Sequence, residues 1–158
     1  PSLYKSTFSR YANVANMYIP CHFWNNASPK ILTSEDLTSG KSKLSVVADI
    51  SCDIASAIAC TIRPSTIDNP IYGYDPMTQT EVDFMNEGAI AVMAVDNLPC
   101  ELPLDASQDF GNELIKYILP ALIDEDPDKI IERGSETNLQ GQLNPLFEYL
   151  KDYAAGLE

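Results

Sequence analysis

The sequence predicts an α/β protein built on half of a doubly wound sheet. Three apolar runs rich in β-branched residues, at positions 14–19, 44–50 and 89–95, have the length and composition of buried strands. Short helical patterns lie between these runs, and that alternation is typical of a parallel sheet. Three parallel strands account for half of a doubly wound sheet. A small β excursion and C-terminal helices make up the rest of the prediction.

The first elements are predicted in the order helix, strand, helix. Apolar residues at helical spacing indicate a short helix within residues 2–11, and the strand at 14–19 ends at Pro20. Residues 33–36, Thr-Ser-Glu-Asp, have the hydroxyl and the acidic residues that begin a helix. This helix is short because Ser-Gly-Lys at 39–41 stops it.

The middle of the chain contains the two strongest strands. The runs at 44–50 and 89–95 are nearly uncharged, which is typical of strands covered on both faces. Between them, residues 51–70 are irregular apart from an apolar patch at 54–62. Residues 70–84 indicate two short strands around a turn, an excursion rather than part of the core.

The C-terminal third is predicted to be helical. Residues 105–123 have the longest helical pattern, with Pro103 where a helix begins and Pro120 where it kinks or ends. Residues 130–143 have a weak pattern that could hold a hairpin around Gln140-Gly141. An amphipathic helix over residues 146–155 closes the chain.

Charge and composition exclude several classes of function. Ten Lys and Arg against 23 Asp and Glu give a net charge of −13, which disfavours binding to nucleic acid or to an anionic membrane surface. No apolar run is long enough to span a membrane. The N-terminus lacks the apolar stretch of a signal peptide.

The four cysteines, Cys21, Cys52, Cys60 and Cys100, form no C-x-x-C pair. The cysteines therefore do not have the spacing of zinc ligands, and we expect no metal site. Free thiols in a cytoplasmic protein are the favoured interpretation, and two disulfides are the alternative.

Polar residues follow each of the three predicted strands. They are Cys21 and His22 after the first strand, residues 49–53 after the second, and Asp96 and Asn97 after the third. Ligands of open α/β sheets bind beyond the carboxyl ends of the strands. These loops therefore predict a crevice, although loops after strands are often polar only because they cap the next helix.

Two carboxylates of this crevice are candidates for acid/base chemistry or for anchoring a ligand. Asp49 lies within the apolar run, where burial disfavours its charged form unless hydrogen-bond donors meet it, whereas Asp53 lies in the loop and is freer to face a ligand. His22 is the only histidine, and a lone histidine is more often structural than catalytic. The sequence has no H-E-x-x-H motif, P-loop or G-x-G-x-x-G.

Several segments, taken in order, resemble one family. Residues 47–54, Val-Ala-Asp-Ile-Ser-Cys-Asp-Ile, resemble the segment that enters the active site in the alanine dehydrogenase and pyridine nucleotide transhydrogenase superfamily. Residues 63–72 look like the following loop of that family, and residues 28–33 resemble its loop and helix after the fourth strand. Residues 95–103, Val-Asp-Asn-Leu-Pro-Cys-Glu-Leu-Pro, are similar to its lysine–2-oxoglutarate reductase (saccharopine dehydrogenase) branch. The resemblance covers about residues 10–123.

The resemblance implies an oxidoreductase that uses NAD or NADP and acts on CH-NH or CH-NH2 donors. Hydride would pass between nicotinamide and an amino-acid or 2-oxo-acid substrate, as in lysine metabolism. It also implies the C-terminal half of a Rossmann-like sheet, with residues 1–110 in the NAD(P)-binding domain and residues 111–158 as a helical return segment toward the catalytic domain. The family's catalytic Lys and His lie in an N-terminal stretch without a counterpart here, so we expect the isolated chain to be inactive.

The family's site residues transfer to the three strand ends. The resemblance implies that Asp53 lies near the reacting centre and acts in catalysis. It also implies a set of residues that line the cofactor: Cys21, His22, Ile50, Asp96, Asn97 and Leu98.

Partners and alternatives also follow from this interpretation. We expect a small-molecule substrate, pairing with the missing N-terminal half, and a homo-oligomer. The alternative function is a non-catalytic α/β module that binds a nucleotide or a partner, which the absent G-x-G-x-x-G favours. A third interpretation is an acidic α/β protein of unrelated function.

Overall fold

The computed structural model describes residues 4–25 and 28–157, which divide into two compact units. The first unit is Pro1–Glu101 and the second is Leu102–Glu158. No described helix is both long and apolar enough to cross a membrane. The candidate site lies within the first unit.

A five-stranded mixed sheet forms the centre of the first unit. The strands are β1 (Met17–Tyr18), β2 (Val46–Ala48), β3 (Ile71–Asp75), β4 (Thr80–Val82) and β5 (Ile90–Met93). Their order in the sheet is β1-β2-β5-β3-β4, in which β1, β2 and β5 run parallel and β3 runs antiparallel to both β5 and β4. The three predicted core strands are therefore confirmed as the parallel part of an α/β sheet.

Two short helices flank these strands. Helix α2 (Ser34–Thr38) begins with the predicted cap, because the Thr33 hydroxyl accepts from the Asp36 N–H while the Asp36 carboxylate accepts from the Thr33 N–H. Helix α1 (Ser9–Ala12) is shorter than the helix predicted within residues 2–11, of which residues 2 and 3 lie outside the described part of the chain. It starts late because the Ser6 hydroxyl, bonded to the Ile31 carbonyl, also accepts from the N–H of Phe8.

The sheet is buried more completely on one face than on the other. Val47 of β2 and Val92 of β5 have no exposed surface, whereas their neighbours Val46 and Ala48 are only half-buried. The second face is therefore covered only in part within this unit. The fully buried side chains pack on a core that includes Leu32, Leu37, Ala57, Ile58, Cys60 and Tyr74.

The predicted excursion is part of the sheet rather than an accessory to it. Strand β3 lies directly against β5, and the Tyr72 and Tyr74 side chains are buried. The Tyr72 hydroxyl donates to the Cys60 carbonyl (2.9 Å), and the Arg63 guanidinium lies over the Tyr72 ring, 4.4 Å from its centre. Arg63 also forms two short hydrogen bonds to the Glu81 carboxylate of β4. The hairpin thus covers one side of the core.

The irregular segment after β2 forms two isolated parallel bridges, one with the segment before α2 and one with the residues that follow β5. Leu32 and Ile58 form an isolated parallel bridge, and Ser65 forms another with Val95. The buried Ser65 hydroxyl accepts from the Ala94 N–H (2.8 Å). The two Ser65 contacts hold this part of the segment at the carboxyl end of β5, beside the candidate site.

The second unit is helical, and none of its described residues is fully buried. Pro103 is the first helical residue, as predicted, and the long helix changes to a π-helical turn at Leu114–Ile118. This turn precedes Pro120, which has no N–H to donate to the carbonyl of Lys116. The α-helices are α3 (Pro103–Glu113), α4 (Leu119–Ile123), α5 (Ile130–Gly134) and α6 (Lys151–Ala154).

Two predictions for the end of the chain need correction in detail. The expected hairpin is reduced to one bridge, between Thr137 and Leu143, that follows α5. The expected helix over residues 146–155 is a 3-10 helix at Pro145–Leu150 followed by the short α6. Phe147 has non-helical dihedral angles, which interrupts the regular α-helix there.

Candidate functional site at the carboxyl edge of the sheet

Direct contacts join the loops that follow the three parallel strands. The Ile50 N–H, after β2, donates to the Pro20 carbonyl after β1 (3.0 Å). The Cys52 thiol donates to the carbonyl of Val95 after β5 (3.3 Å). The structure therefore brings the three strand ends together at one edge, where the sequence placed the crevice.

Asp49 is the buried centre of this edge. Its side chain is inaccessible to solvent, and its Oδ1 accepts from the Ser51 hydroxyl (2.5 Å), the Ser51 N–H (3.0 Å) and the Cys52 N–H (3.2 Å). Its Oδ2 accepts from the buried Thr61 hydroxyl (2.6 Å). Four donors stabilise this carboxylate without water. Asp49 therefore shapes the loop and does not face a ligand.

Cys52 has an uncommon backbone conformation next to Asp49. Its φ of 55° lies in the left-handed region, and Ala55, with a φ of 53°, has the same conformation three residues later. The Cys52 thiol also donates to the Asp49 carbonyl (3.0 Å). Burial raises the pKa of this thiol, and the negative charges of Asp49, Asp96 and Asp53 raise it further. Cys52 is thus a poor nucleophile and a structural member of the edge.

Asp53 differs from Asp49 because it is exposed. It lines an open cavity of about 380 Å³ together with residues from the loop after β1 and from its own loop. The Ser56 hydroxyl donates to the backbone carbonyl of Asp53 (2.5 Å), which fixes the turn beneath the side chain. The other residues that line this cavity are Trp24, Asn25, Ile54 and Ser56.

The remaining candidate residues surround this edge with different degrees of exposure. Cys21, Asp96 and Asn97 are exposed, and Ile50 is 40% exposed. His22 is half-buried, and its Nε2 is a buried atom without a hydrogen-bond partner in the described part of the chain. Leu98 is half-buried and begins a 3-10 helix that runs to Glu101.

Two residues of the site were not singled out for function by the sequence. Trp24 was not singled out, and it both packs against the core and lines the cavity beside Asp53. Thr61 was not singled out at all, because nothing in a local pattern reveals a hydroxyl that bonds a carboxylate twelve positions earlier. A polar residue inside the apolar patch at 54–62 was the available signal.

The cysteines and acidic groups give no metal centre in the described residues. All four cysteines are free, with Cys60 buried and Cys52 half-buried. No group of three or more His, Cys, Asp or Glu side chains in residues 4–25 and 28–157 could hold a metal ion.

The sheet topology and the edge define the class of protein. Parallel strands β1, β2 and β5, with loops that meet at their carboxyl ends, form one half of a Rossmann-like α/β domain. The family model described as alanine dehydrogenase/PNT, C-terminal domain matches residues 7–144. The chain therefore belongs to this family, which is a family of oxidoreductases.

The curated relatives are much longer than this chain. Alpha-aminoadipic semialdehyde synthase of Arabidopsis thaliana is 29% identical over 157 residues, which cover 95% of this chain and 15% of that protein. Alpha-aminoadipic semialdehyde synthase, mitochondrial, of Mus musculus is 29% identical over 143 residues, 79% of this chain and 15% of that protein. Saccharopine dehydrogenase [NAD(+), L-lysine-forming] of Schizosaccharomyces pombe is 30% identical over 112 residues, 71% of this chain and 29% of that protein. The chain thus spans less than a third of each relative.

Proposed function

We propose that this chain is the C-terminal portion of an NAD(P)-dependent oxidoreductase that acts on the CH-NH or CH-NH2 bond of an amino-acid substrate. The observation that carries the proposal is the meeting of three strand-end loops, with Asp53 exposed to a cavity and Asp49 buried beneath it. The names of the relatives favour a saccharopine- or lysine-related substrate, with an alanine dehydrogenase-like substrate as the alternative.

The residues at the edge fit a nicotinamide cofactor. His22 has a buried nitrogen without a hydrogen-bond partner among the described residues, and Ile50 offers an exposed apolar surface at the same edge. Cys21, His22, Ile50, Asp96, Asn97 and Leu98 would hold the cofactor. When bound, the nicotinamide supplies hydride transfer. The name of the Schizosaccharomyces pombe relative supports NAD over NADP.

In this proposal the two carboxylates have different roles. Asp53 is the catalytic residue, because its exposed side chain can accept a hydrogen bond from the substrate or orient the nicotinamide ring. Asp49 is a positioning residue, because its four hydrogen bonds hold the loop from which Asp53 projects. Asp49 keeps this loop in place, and Asp53 meets the ligand.

The proposal also covers the domain assignment of the chain and its partners. Residues 1–110 would belong to the nucleotide-binding domain, and residues 111–158 would return toward the catalytic domain. Because the sequence has no G-x-G-x-x-G turn to hold a pyrophosphate, we infer that the chain alone is inactive. We also infer that it pairs with an N-terminal half and forms homo-oligomers. Calorimetry of the isolated chain should then give no tight binding of NAD(H) or NADP(H).

Steady-state kinetics of the complete oxidoreductase with Asp53→Asn tests the proposal. This change keeps the size of the side chain but removes its charge, so kcat should fall, by about a hundred-fold for a group that handles a proton. Glu87→Gln is the matched control, since Glu87 is exposed just before β5, at the opposite end of that strand. Near-normal kcat and KM for Asp53→Asn would refute the catalytic role.

The second candidate is a non-catalytic α/β module that binds a nucleotide or a partner. The missing glycine-rich turn favours it. It is distinguished from the first candidate by turnover, because a module of this kind gives no nucleotide-dependent oxidation in the complete protein.

The cellular compartment also stays a prediction. The sequence suggests the cytoplasm, whereas the Mus musculus relative is named mitochondrial.

A further inference from the structure

The backbone on both sides of Asp53 has a conformation that needs support from its surroundings. Cys52 and Ala55 have φ values of 55° and 53°, and a non-glycine residue keeps such a conformation only when other groups hold it. The Cys52 N–H donates to the Asp49 carboxylate (3.2 Å), and the Ala55 N–H donates to the Thr61 carbonyl (2.9 Å). The position of Asp53 therefore depends on what fixes Asp49 and Thr61.

Thr61 holds the Asp53 loop at two points. Its hydroxyl donates to the Asp49 Oδ2 (2.6 Å), and its carbonyl accepts from the Ala55 N–H (2.9 Å). Thr61 is inaccessible to solvent, so water does not compete for its hydroxyl. This one residue thus fixes the loop both before and after Asp53.

The Tyr72 hydroxyl fixes the backbone on both sides of Thr61. It donates to the Cys60 carbonyl (2.9 Å) and accepts from the Ile62 N–H (3.0 Å), which also lies 3.1 Å from the Cys60 carbonyl. Tyr72 is buried in β3, which pairs with β5, and the Arg63 guanidinium covers its ring. The hydroxyl is therefore carried by a side chain that the sheet and its neighbours hold in place.

We propose that Tyr72 is a positioning residue for Asp53 and acts through Thr61. The inference rests on the proposed function, because it states how the sheet fixes the residue to which we assign catalysis. Tyr72 does not line the cavity beside Asp53, so its effect on turnover passes through the loop. Strand β3 thereby contributes to a site whose other residues come from the ends of the parallel strands.

Amide hydrogen exchange of the chain, followed by NMR, tests this inference without turnover. Tyr72→Phe removes the hydroxyl and keeps the buried ring. The amides of Cys52 and Ala55, which lie on either side of Asp53, should then exchange about five-fold faster, as expected when one hydrogen bond no longer supports a local structure.

Two further variants show which contact carries the effect. Tyr74→Phe is the matched control, because it removes a hydroxyl from another buried tyrosine of β3 whose side-chain partner is Ser34. It should leave the exchange of Cys52 and Ala55 unchanged. Thr61→Val tests the next contact: it should accelerate exchange at Cys52 and spare Ala55, whose partner is the main-chain carbonyl.

Kinetics of the complete oxidoreductase separate positioning from a general loss of structure. Tyr72→Phe should lower kcat about five-fold in the wild-type background. It should have no further effect in the Asp53→Asn background, where the carboxylate that it positions is gone. A purely structural role of Tyr72 would lower kcat by the same factor in both backgrounds, and Tyr74→Phe should not change kcat.

Three results would overturn the inference: unchanged exchange of Cys52 and Ala55 in Tyr72→Phe, equal acceleration in Tyr74→Phe, or equal kcat effects in the two backgrounds. The exchange measurement contains no substrate or cofactor. If Asp53→Asn abolishes turnover and Tyr72→Phe leaves the exchange unchanged, the oxidoreductase proposal stands and this inference fails. If Asp53→Asn turns over normally and Tyr72→Phe accelerates the exchange, the catalytic role of Asp53 fails and the contact from Tyr72 to the loop stands.

Discussion

Asp49 shows that a carboxylate can be buried when enough hydrogen-bond donors surround it. A buried carboxylate is costly unless it is fully hydrogen-bonded. Here two backbone N–H groups and two hydroxyl groups donate hydrogen bonds to the Asp49 carboxylate, and one of the hydroxyls belongs to Thr61. Asp53, only four positions later, is exposed and has no such enclosure. The difference that the sequence predicted between the two carboxylates, one inside the apolar run and one in the loop, is thus confirmed by their burial.

Replacing Thr61 tests the importance of this network. Thr61→Val keeps the shape of the side chain but removes the donor to the Asp49 Oδ2, so a buried charged oxygen loses its partner. We expect the free energy of unfolding to fall by about 1–3 kcal/mol. Urea unfolding followed by Trp24 fluorescence reports on this unit. Thr61→Ser, which keeps the hydroxyl, should recover most of the loss, and equal stability of the Val and wild-type proteins would contradict the network.

Buried groups near the core also predict sensitivity to alkaline pH. Burial raises the pKa of the Cys60 thiol from 9.0 to about 12, and it raises those of Tyr18 and Tyr72 from 10.0 to about 12. Between pH 9 and 12 the unfolded chain therefore loses protons that the folded chain keeps. Stability is fully present below pH 9 and falls as the pH rises toward 12.

Urea unfolding at pH 8 and pH 10 measures this effect. One proton per molecule corresponds to about 1.4 kcal/mol per pH unit, so Cys60 alone should reduce the stability by roughly 1 kcal/mol at pH 10. Cys60→Ala removes the thiol and should reduce the difference between the two pH values, although the variant is less stable at both. An unchanged difference in Cys60→Ala would rule out the thiol as its source.

At the scale of elements, helix α2 and strand β3 differ in how they are specified. Helix α2 begins with a capping box whose two hydrogen bonds lie within four residues, at Thr33 and Asp36, so the sequence predicts its start. Strand β3 depends on its neighbours, because Tyr72 pairs opposite Val92 of β5 and its hydroxyl contacts Cys60. Nothing local indicates those partners, which is why the hairpin was expected to lie outside the core.

Gly73 is the position in β3 where a side chain has no room. A Cβ there would lie 2.7 Å from backbone atoms of Asp83 and Phe84. Gly73→Ala should therefore destabilise the first unit by about 1–3 kcal/mol, through displacement of the neighbouring backbone. Gly111→Ala is the matched control, since nothing lies within 4 Å of its Cβ. Trp24-monitored unfolding should detect a loss for Gly73→Ala, and equal transitions in both variants would contradict the close approach.

At the scale of the whole molecule, large apolar side chains remain on the surface of each unit. In the first unit Met17 of the edge strand β1 is 55% exposed. In the second unit Phe110, Leu122 and Ile123 are 70%, 59% and 76% exposed. Exposed apolar surface of this extent is typical of a surface that another chain covers. The net charge of −13 opposes association of identical copies.

These two effects predict salt-dependent self-association. Sedimentation velocity should give a weight-average coefficient that rises with protein concentration, and the rise should be larger at high salt because screening weakens the repulsion between copies. Phe110→Ser removes an exposed aromatic side chain and should reduce the association, whereas Ser107→Ala on the same helix should not. A compact monomer at all concentrations and salt levels would exclude self-association of the isolated chain.

Features that depend on neighbouring residues or on strand length could be predicted from the sequence. These include the three parallel strands, the start of α2 at Thr33, the helical start at Pro103, and the polar ends at Cys21, Asp53 and Asn97. Parallel strands must end at the same edge, so their loops could be expected to meet.

The tertiary structure alone decided features that join distant parts of the chain. It buried Asp49 under Thr61, joined β3 to β5, and placed Trp24 beside Asp53. In each case the partners are separated by more than ten positions and no local propensity links them. Burial and hydrogen-bond satisfaction are properties of the folded surroundings, and they distinguish the buried carboxylate from the exposed one.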